Sequence, residues 1–191
     1  MYREAILKVF EQTVSVLQSG GVILFPADTI WGIGCDASNQ TAISKLYSIK
    51  GRALHKPLIV LVSDLEQLYA VAASVHPRVD TLLHYHDRPL TVIYPTTKKE
   101  FRHLAAHDGT IGVRLIKSGF CNELITYYGH PLVSTSANLA GEDYPTNFGS
   151  VSSSIISRVD YALPAFTEKG ITGTPSVIAR YDENGELDFL R

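Results

Sequence analysis

Two windows of the 191-residue sequence sort their polar side chains in ways that suit chemistry. Residues 37–63 contain Lys45, Lys50, Arg52 and Lys56 and not one Asp or Glu. Lys50-Gly51-Arg52 follows directly on a helical pattern and Lys56-Pro57 leads into a strand. Those cations therefore sit on a short connector, where they can clamp phosphate or carboxylate. A solvated basic loop is the competing reading. Residues 124–141 carry no Asp, Glu, Lys or Arg, yet set Ser134, Thr135, Ser136 and Asn138 within five positions. Such a cluster offers neutral donors and acceptors to a polar ligand or a developing oxyanion. Here the rival is a helix cap built on Ser136 or Asn138. Arg114 lies inside the apolar run 111–115. A buried guanidinium is costly unless an anion meets it, and a ligand or a core-edge carboxylate would serve equally.

Familiar catalytic patterns are absent from the sequence. It has no GxxxxGK[ST], no GxSxG, and no SxxK or KTG to accompany Ser136-x-Asn138. Gly32-x-Gly34-x-x-Ala37 formally matches a dinucleotide fingerprint, but six residues separate it from the preceding strand. His84-x-His86 and His103-x-x-x-His107 stand in polar surroundings without an HExxH partner and read as surface histidines, so no metal ligands are assigned. No general base is evident. Cations with hydroxyls suit a reaction run by positioning and charge stabilisation rather than by a proton relay.

The elements that must position these groups follow from periodicity. Ile6, Val9, Phe10, Val16 and Leu17 recur at helical spacing, and Gly20-Gly21 provides a stop. Residues 22–25 predict a buried strand closed by Pro26, with 26–34 read as the segment after it. A helix over 40–49 has Ala42, Ile43, Leu46 and Ile49 on one face, with Ser38 or Asn39 as its cap. Residues 58–62 predict a strand, and Ser63 with Glu66 a capping box for a helix reaching Ala73. Pro77 opens another helix. Strands are expected at 90–94, 111–115, 131–135 and 176–181, helices at 120–128 and 150–159, and a long loop at 98–110. Asn184-Gly185 marks a hairpin into a last strand at 187–190. Continuously apolar strands alternating with helices predict an α/β sheet covered by helices, made mixed by that hairpin.

Composition bounds the rest. Hydrophobic residues at 45% exclude a disordered chain, and the length predicts one domain over 1–191. The net charge of -2 excludes a generally basic nucleic-acid coat but leaves room for a local patch. Cys35 and Cys121 form no CxxC, which argues for a reducing compartment. No apolar run approaches membrane-spanning length and no leader pattern opens the chain, so a cytoplasmic protein with no membrane partner is expected.

Five segments together resemble the YrdC family: Gly20 through Ala37 (GGVILFPADTIWGIGCDA), Lys50-Gly51-Arg52 with Lys56-Pro57-Leu58, Thr110 through Arg114, Ser134 through Gly141 (STSANLAG), and Gly173 through Ile178 (GTPSVI). They occur in family order across roughly residues 10–180. The resemblance implies a twisted mixed parallel/antiparallel sheet with flanking helices around a deep basic cavity. It also implies threonylcarbamoyl-AMP synthase activity, in which L-threonine, bicarbonate and ATP give threonylcarbamoyl-AMP and pyrophosphate for the t6A modification of tRNA. On that resemblance Lys50 and Arg52 are the catalytic cations. Lys50, Arg52 and Lys56 would meet the triphosphate, with Thr110, Ser134, Ser136, Asn138 and Tyr144 on the nucleotide side. Thr29, Arg114 and Ser176 would hold threonine or its carbamate. Magnesium would arrive with ATP, no permanent cofactor is implied, and a threonylcarbamoyl-transferase complex would take the product onward. Ala27 stands where the family usually has Thr, Trp31 where it has Tyr, and Leu61 where many longer members have His. The alternative is a non-catalytic module gripping tRNA or rRNA in the same basic concavity. The acid-free window and ten tyrosines favour it; the net charge and the lack of RNP-type or KH-type motifs oppose it.

Overall fold

The computed structural model describes residues 2–51 and 57–190. Helix α1 (Tyr2–Gln18) stops at the glycine pair. Gly20 takes φ +79°, and the Gly21 N–H returns to the Val16 carbonyl at 2.9 Å. Strand β1 (Ile23–Pro26) follows as expected.

The next element is where sequence patterning fails. Much of the segment after β1 is itself a strand, β2 (Trp31–Asp36), wholly buried and antiparallel to β1, with Ile23 opposite Gly34 and Pro26 opposite Trp31. Gly32 and Gly34 interrupt its apolar pattern and disguise it. They are needed because neighbours crowd the backbone: a Cβ on Gly34 would stand 2.4 Å from the Val133 carbonyl oxygen and 2.8 Å from a Phe25 ring carbon. Gly34→Ala is accordingly expected to cost roughly 1–3 kcal/mol by overpacking, measured as a lowered urea midpoint. An unchanged midpoint would mean that β2 can shift without penalty.

Helix α2 (Gln40–Lys50) takes Asn39 as its cap, whose Oδ1 accepts from the Ala42 N–H at 3.0 Å, and closes at Gly51 with φ +60°. This left-handed ending holds Lys50 in the last turn with its side chain buried. Strand β3 (Ile59–Val62) leads into α3 (Leu65–Val71), two residues shorter than expected. Its cap is Asp64 rather than Ser63. Asp64 Oδ1 accepts from the Gln67 N–H at 2.8 Å, and the Gln67 side chain reaches back to the Ser63 N–H at 3.2 Å. Then come α4 (Pro77–Tyr85), β4 (Leu90–Tyr94), a 3₁₀ turn at Lys99–Leu104 inside the expected loop, β5 (Ile111–Leu115), α5 (Gly119–Tyr128) and β6 (Leu132–Ser136).

The helix expected over 150–159 contracts to α6 (Ser153–Ile156), because Ser152 accepts from the Ser154 N–H and starts it late. A two-residue strand, β7 (Tyr161–Ala162), escapes any periodicity argument. The predicted terminal hairpin joins β8 (Val177–Tyr181) to β9 (Leu187–Phe189), with Gly185 at φ +78°.

These strands form one nine-stranded sheet in the order β7-β1-β2-β6-β3-β5-β4-β8-β9. Parallel pairs (β1–β7, β3–β5, β4–β8) are interspersed with antiparallel ones throughout. The sheet is therefore mixed across its width, not only at the terminal hairpin. Helices α1 and α5 cover one side, where the Phe10 ring lies 5.2 Å from Phe120 and 5.3 Å from Tyr127. Cys35 and Cys121 are unpaired and buried, and burial pushes both thiols up. Among the described residues no helix is long and apolar enough to cross a membrane.

Candidate active site

Side chains alternate between the two faces of a strand, so every second residue of adjacent strands can line one concavity. Here Ser134 and Ser136 of β6, Ile59 and Leu61 of β3, Gly112 and Arg114 of β5, Thr91 and Ile93 of β4, and Ile178 and Arg180 of β8 all face a single cavity of about 720 Å³. The β1–β2 hairpin closes one wall with Ala27, Thr29 and Trp31.

Arg114, in the cavity wall, is only 6% exposed. Its Nη2 lies 3.0 Å from Asp28 Oδ1, and its Nη1 donates to Thr29 Oγ1 at 3.2 Å. The core-edge carboxylate considered for this arginine thus exists, and it sits beside the cavity rather than away from it. The Asp28 contact lacks hydrogen-bond alignment and Arg114 Nε has no hydrogen-bond partner, so the guanidinium retains donor capacity. Nearby, the hydroxyls of Thr91 and Ser176 share a hydrogen bond of 2.8 Å. The hairpin bearing Asp28 and Thr29 is pinned by the Thr172 and Gly173 N–H groups, which donate to the Asp28 and Thr29 carbonyls at 3.0 and 2.7 Å.

A second cluster forms where α2 meets the end of β6. Lys50 Nζ donates to the Ser136 carbonyl (2.6 Å), Ser136 Oγ (3.1 Å) and Asn138 Oδ1 (2.6 Å). Asn138 Nδ2 donates in turn to the Glu142 carbonyl at 2.6 Å. No helix begins at Ser136 or Asn138, so the capping alternative is excluded. These three oxygens are uncharged.

Asp108 also lines the cavity, and its Oδ1 accepts from Thr110 Oγ1 at 2.6 Å and from the Thr110 N–H at 3.1 Å. Those bonds, led by the hydroxyl, hold the Asp108 carboxyl below its ordinary range, and Arg180 Nη2 stands 3.6 Å from Oδ2.

Thr29, Thr110, Arg114, Ser134, Ser136, Tyr144 and Ser176 therefore line the one cavity. Lys50 and Asn138 adjoin it through Ser136. Arg52 and Lys56 lie outside the described residues. A basic lining rests in part on those two, and among the described residues the arginines at the cavity, Arg114 and Arg180, each face an aspartate. Ala27, Trp31 and Leu61, the family departures, all line the cavity.

Sequence reasoning missed Asp28 and Asp108 as partners, and it missed Glu168 altogether. Asp28 sits within the quoted opening segment, but only the fold brings it to Arg114. Glu168 Oε2 accepts from the indole Nε1 of Trp31 at 2.6 Å and from the Phe148 N–H at 2.7 Å. No local pattern signals a contact spanning 137 residues.

The chain matches the profile of the Sua5, YciO and YrdC family, described as telomere recombination, over residues 15–191. A threonylcarbamoyl-AMP synthase of Xanthomonas campestris pv. campestris (strain B100) is 34% identical over 157 residues, covering 80% of this chain and 83% of the relative. One from Vibrio campbellii is 34% identical over 139 residues, 71% of this chain and 75% of its own. Among solved structures, P. abyssi Sua5 complexed with L-threonine superposes with a TM-score of 0.86 at 22% identity over 97% of this chain. This chain spans 54% of that protein's length. E. coli YciO gives 0.81 at 22% identity, covering 96% and 88% of the two chains. At such identities the two structures establish the fold, whereas the profile match and the 34% relatives establish descent. The chain belongs to the Sua5, YciO and YrdC family.

Proposed function

We propose that this protein is an L-threonylcarbamoyladenylate synthase, a nucleotidyltransferase that joins L-threonine, bicarbonate and ATP. The observation that carries the reading is Arg114, a nearly fully buried guanidinium in the cavity wall with a donor left over after Asp28 and Thr29. A carboxylate-bearing substrate meets that requirement, and Ser176 and Thr29 beside it suit its hydroxyl or carbamate. Curated relatives carrying the name threonylcarbamoyl-AMP synthase support the assignment of the reaction.

The chemistry is then a two-stage condensation. The threonine amine adds to bicarbonate and water leaves, giving an N-carboxylate. One of its oxygens forms a bond to the α-phosphorus of ATP as the bond from that phosphorus to the pyrophosphate oxygen breaks. Transfer of this kind needs alignment and neutralisation of charge more than a covalent helper. We assign neutralisation to Lys50, preorganised by neutral acceptors so that its charge is available to a phosphate oxygen, with Arg52 and Lys56 as further phosphate contacts. Ser134, Ser136, Asn138 and Tyr144 are assigned to the nucleotide side, and Thr110 to its rim. Magnesium is assigned to ATP itself, because Asp28 and Asp108 are each engaged by an arginine. We expect the unstable adenylate to be consumed by a threonylcarbamoyl transferase acting on tRNA, in the cytoplasm.

The test is pyrophosphate release by purified protein given ATP, Mg²⁺, bicarbonate and L-threonine. Release that requires threonine is the expected result. Release indifferent to threonine, or none, would overturn the reading.

A further inference from the structure

Trp31 is the first residue of β2, fully buried, and one of the residues that form the cavity wall. Its backbone stitches the neighbouring segment together. The Trp31 N–H donates to the Pro145 carbonyl at 3.2 Å, and the Trp31 carbonyl accepts from the Ala137 N–H at 3.0 Å. Both ends of the loop that follows β6 are therefore tied to this one residue. That loop carries Asn138 and Tyr144 and begins at Ser136, the groups assigned to the nucleotide side.

What holds Trp31 is Glu168, at the end of the 3₁₀ turn Ala165–Glu168. One carboxylate oxygen takes both the indole N–H at 2.6 Å and the Phe148 N–H at 2.7 Å, while the Phe148 ring packs 5.0 Å from the indole. Short charge-assisted bonds of this kind are about twice as strong as neutral ones, and two donors converging on one oxygen fix relative position as well as energy. The carboxylate thus clamps the cavity wall to the far end of the 137–148 segment. Glu168 is not itself a cavity-lining residue, so it acts on a ligand only through what it holds.

We propose that Glu168 is a positioning residue for nucleotide binding: by clamping Trp31 to Phe148 it sets the Ser136–Tyr144 segment against ATP. This rests on the reading of that side of the cavity as the ATP site. Of the groups assigned to threonine, Arg114 on β5 and Ser176 beside β8 stand on elements the clamp does not join, and Thr29, two residues before Trp31, has a tie of its own in the Gly173 N–H, which donates to its carbonyl at 2.7 Å. Losing the carboxylate should accordingly weaken ATP selectively, which a loss of overall stability would not do.

The experiment is calorimetric titration of ATP with Mg²⁺, and separately of L-threonine, into the wild-type chain and into Glu168→Ala and Glu168→Gln. Steady-state KM values and the emission of Trp31, the single tryptophan, accompany it. Glu168→Ala is expected to bind ATP about tenfold more weakly and raise its KM to match, leaving threonine affinity within about twofold. The Trp31 emission should shift to the red as its indole N–H loses the carboxylate. Glu168→Gln keeps a neutral acceptor and should lose about threefold. Unchanged ATP affinity in Glu168→Ala, or equal losses for ATP and threonine, would overturn the proposal. Should Glu168→Ala not fold, unchanged affinity in Glu168→Gln would overturn it equally. Binding needs no turnover, so a wild type that binds ATP yet releases no pyrophosphate sinks the proposed reaction while the clamp still stands to be measured. A wild type that binds no ATP sinks both.

Discussion

Lys50→Ala should reduce threonine-dependent pyrophosphate release by a factor on the order of 10²–10³ in kcat while leaving the chain folded. The reason is the kind of environment the ammonium occupies. Its donors meet the Ser136 carbonyl, the Ser136 hydroxyl and the Asn138 amide oxygen, groups that orient a cation without cancelling its charge. A preorganised charge aimed at developing negative charge is worth several kcal/mol in a site shielded from water, and removing one such donor typically costs two to three orders of magnitude. Stability is expected to fall by only about 1–3 kcal/mol, because the partners left behind are neutral oxygens that water can satisfy. Lys50→Met, which keeps most of the stem, separates the two effects: it should match Lys50→Ala in rate while recovering part of its loss in denaturation midpoint. Full activity in either variant would remove Lys50 from the proposed chemistry.

The second large effect is on stability as well as function. Arg114→Ala is expected to destabilise the protein by about 3–5 kcal/mol, since it strands the Asp28 carboxylate, about four-fifths buried, without its cation. The pair as a whole is a different matter, because the cost of desolvating two charges offsets much of their attraction. The double variant Asp28→Ala with Arg114→Ala should therefore recover a substantial part of the loss in a urea melt, and strict additivity would contradict the pairing. Recovery of stability should not bring back function. Both variants should lose threonine binding, since the Arg114 guanidinium is gone from the cavity wall. Arg114→Lys should restore charge but not the fork that reaches Asp28 and Thr29 together, leaving threonine affinity impaired.

Much of the frame that positions these residues is legible in the sequence because it depends on local physics. Asn39 caps α2 and Gly51 ends it with a left-handed turn, so the place of Lys50 at the helix terminus follows from a few neighbouring residues. The continuously apolar runs that become β3, β4 and β5 announce strands buried on both faces. Where the local signal is weak or misleading, the expectation fails. Gly32 and Gly34 look like loop residues, yet they are required where β2 passes close to Val133 and Phe25. Three consecutive serines, 152–154, shorten a helix whose apolar positions predict a longer one. The cap of α3 slips from Ser63 to Asp64, because both residues have a side chain able to do the job.

The candidate site divides along the same line. The sorted charge of residues 37–63 marks Lys50 as a cation for phosphate, and that of 124–141 marks Ser134, Ser136 and Asn138 as neutral groups for a polar ligand; the fold alone shows that Lys50 donates to Ser136 and Asn138 at the end of β6, while Ser134 donates to the Ile33 carbonyl. Partnerships are another matter. Asp28 with Arg114, Asp108 with Arg180 and Trp31 with Glu168 join residues far apart in the chain.

By itself, then, the sequence determined which residue types were available and which short elements would carry them, since capping, periodicity and turn chemistry act over a few neighbouring residues. Only the tertiary structure decided which charges neutralise each other. Whether a buried cation is spent on the fold or kept for a ligand depends on distances of 3–4 Å between strands, and those are set by the order and curvature of the whole sheet.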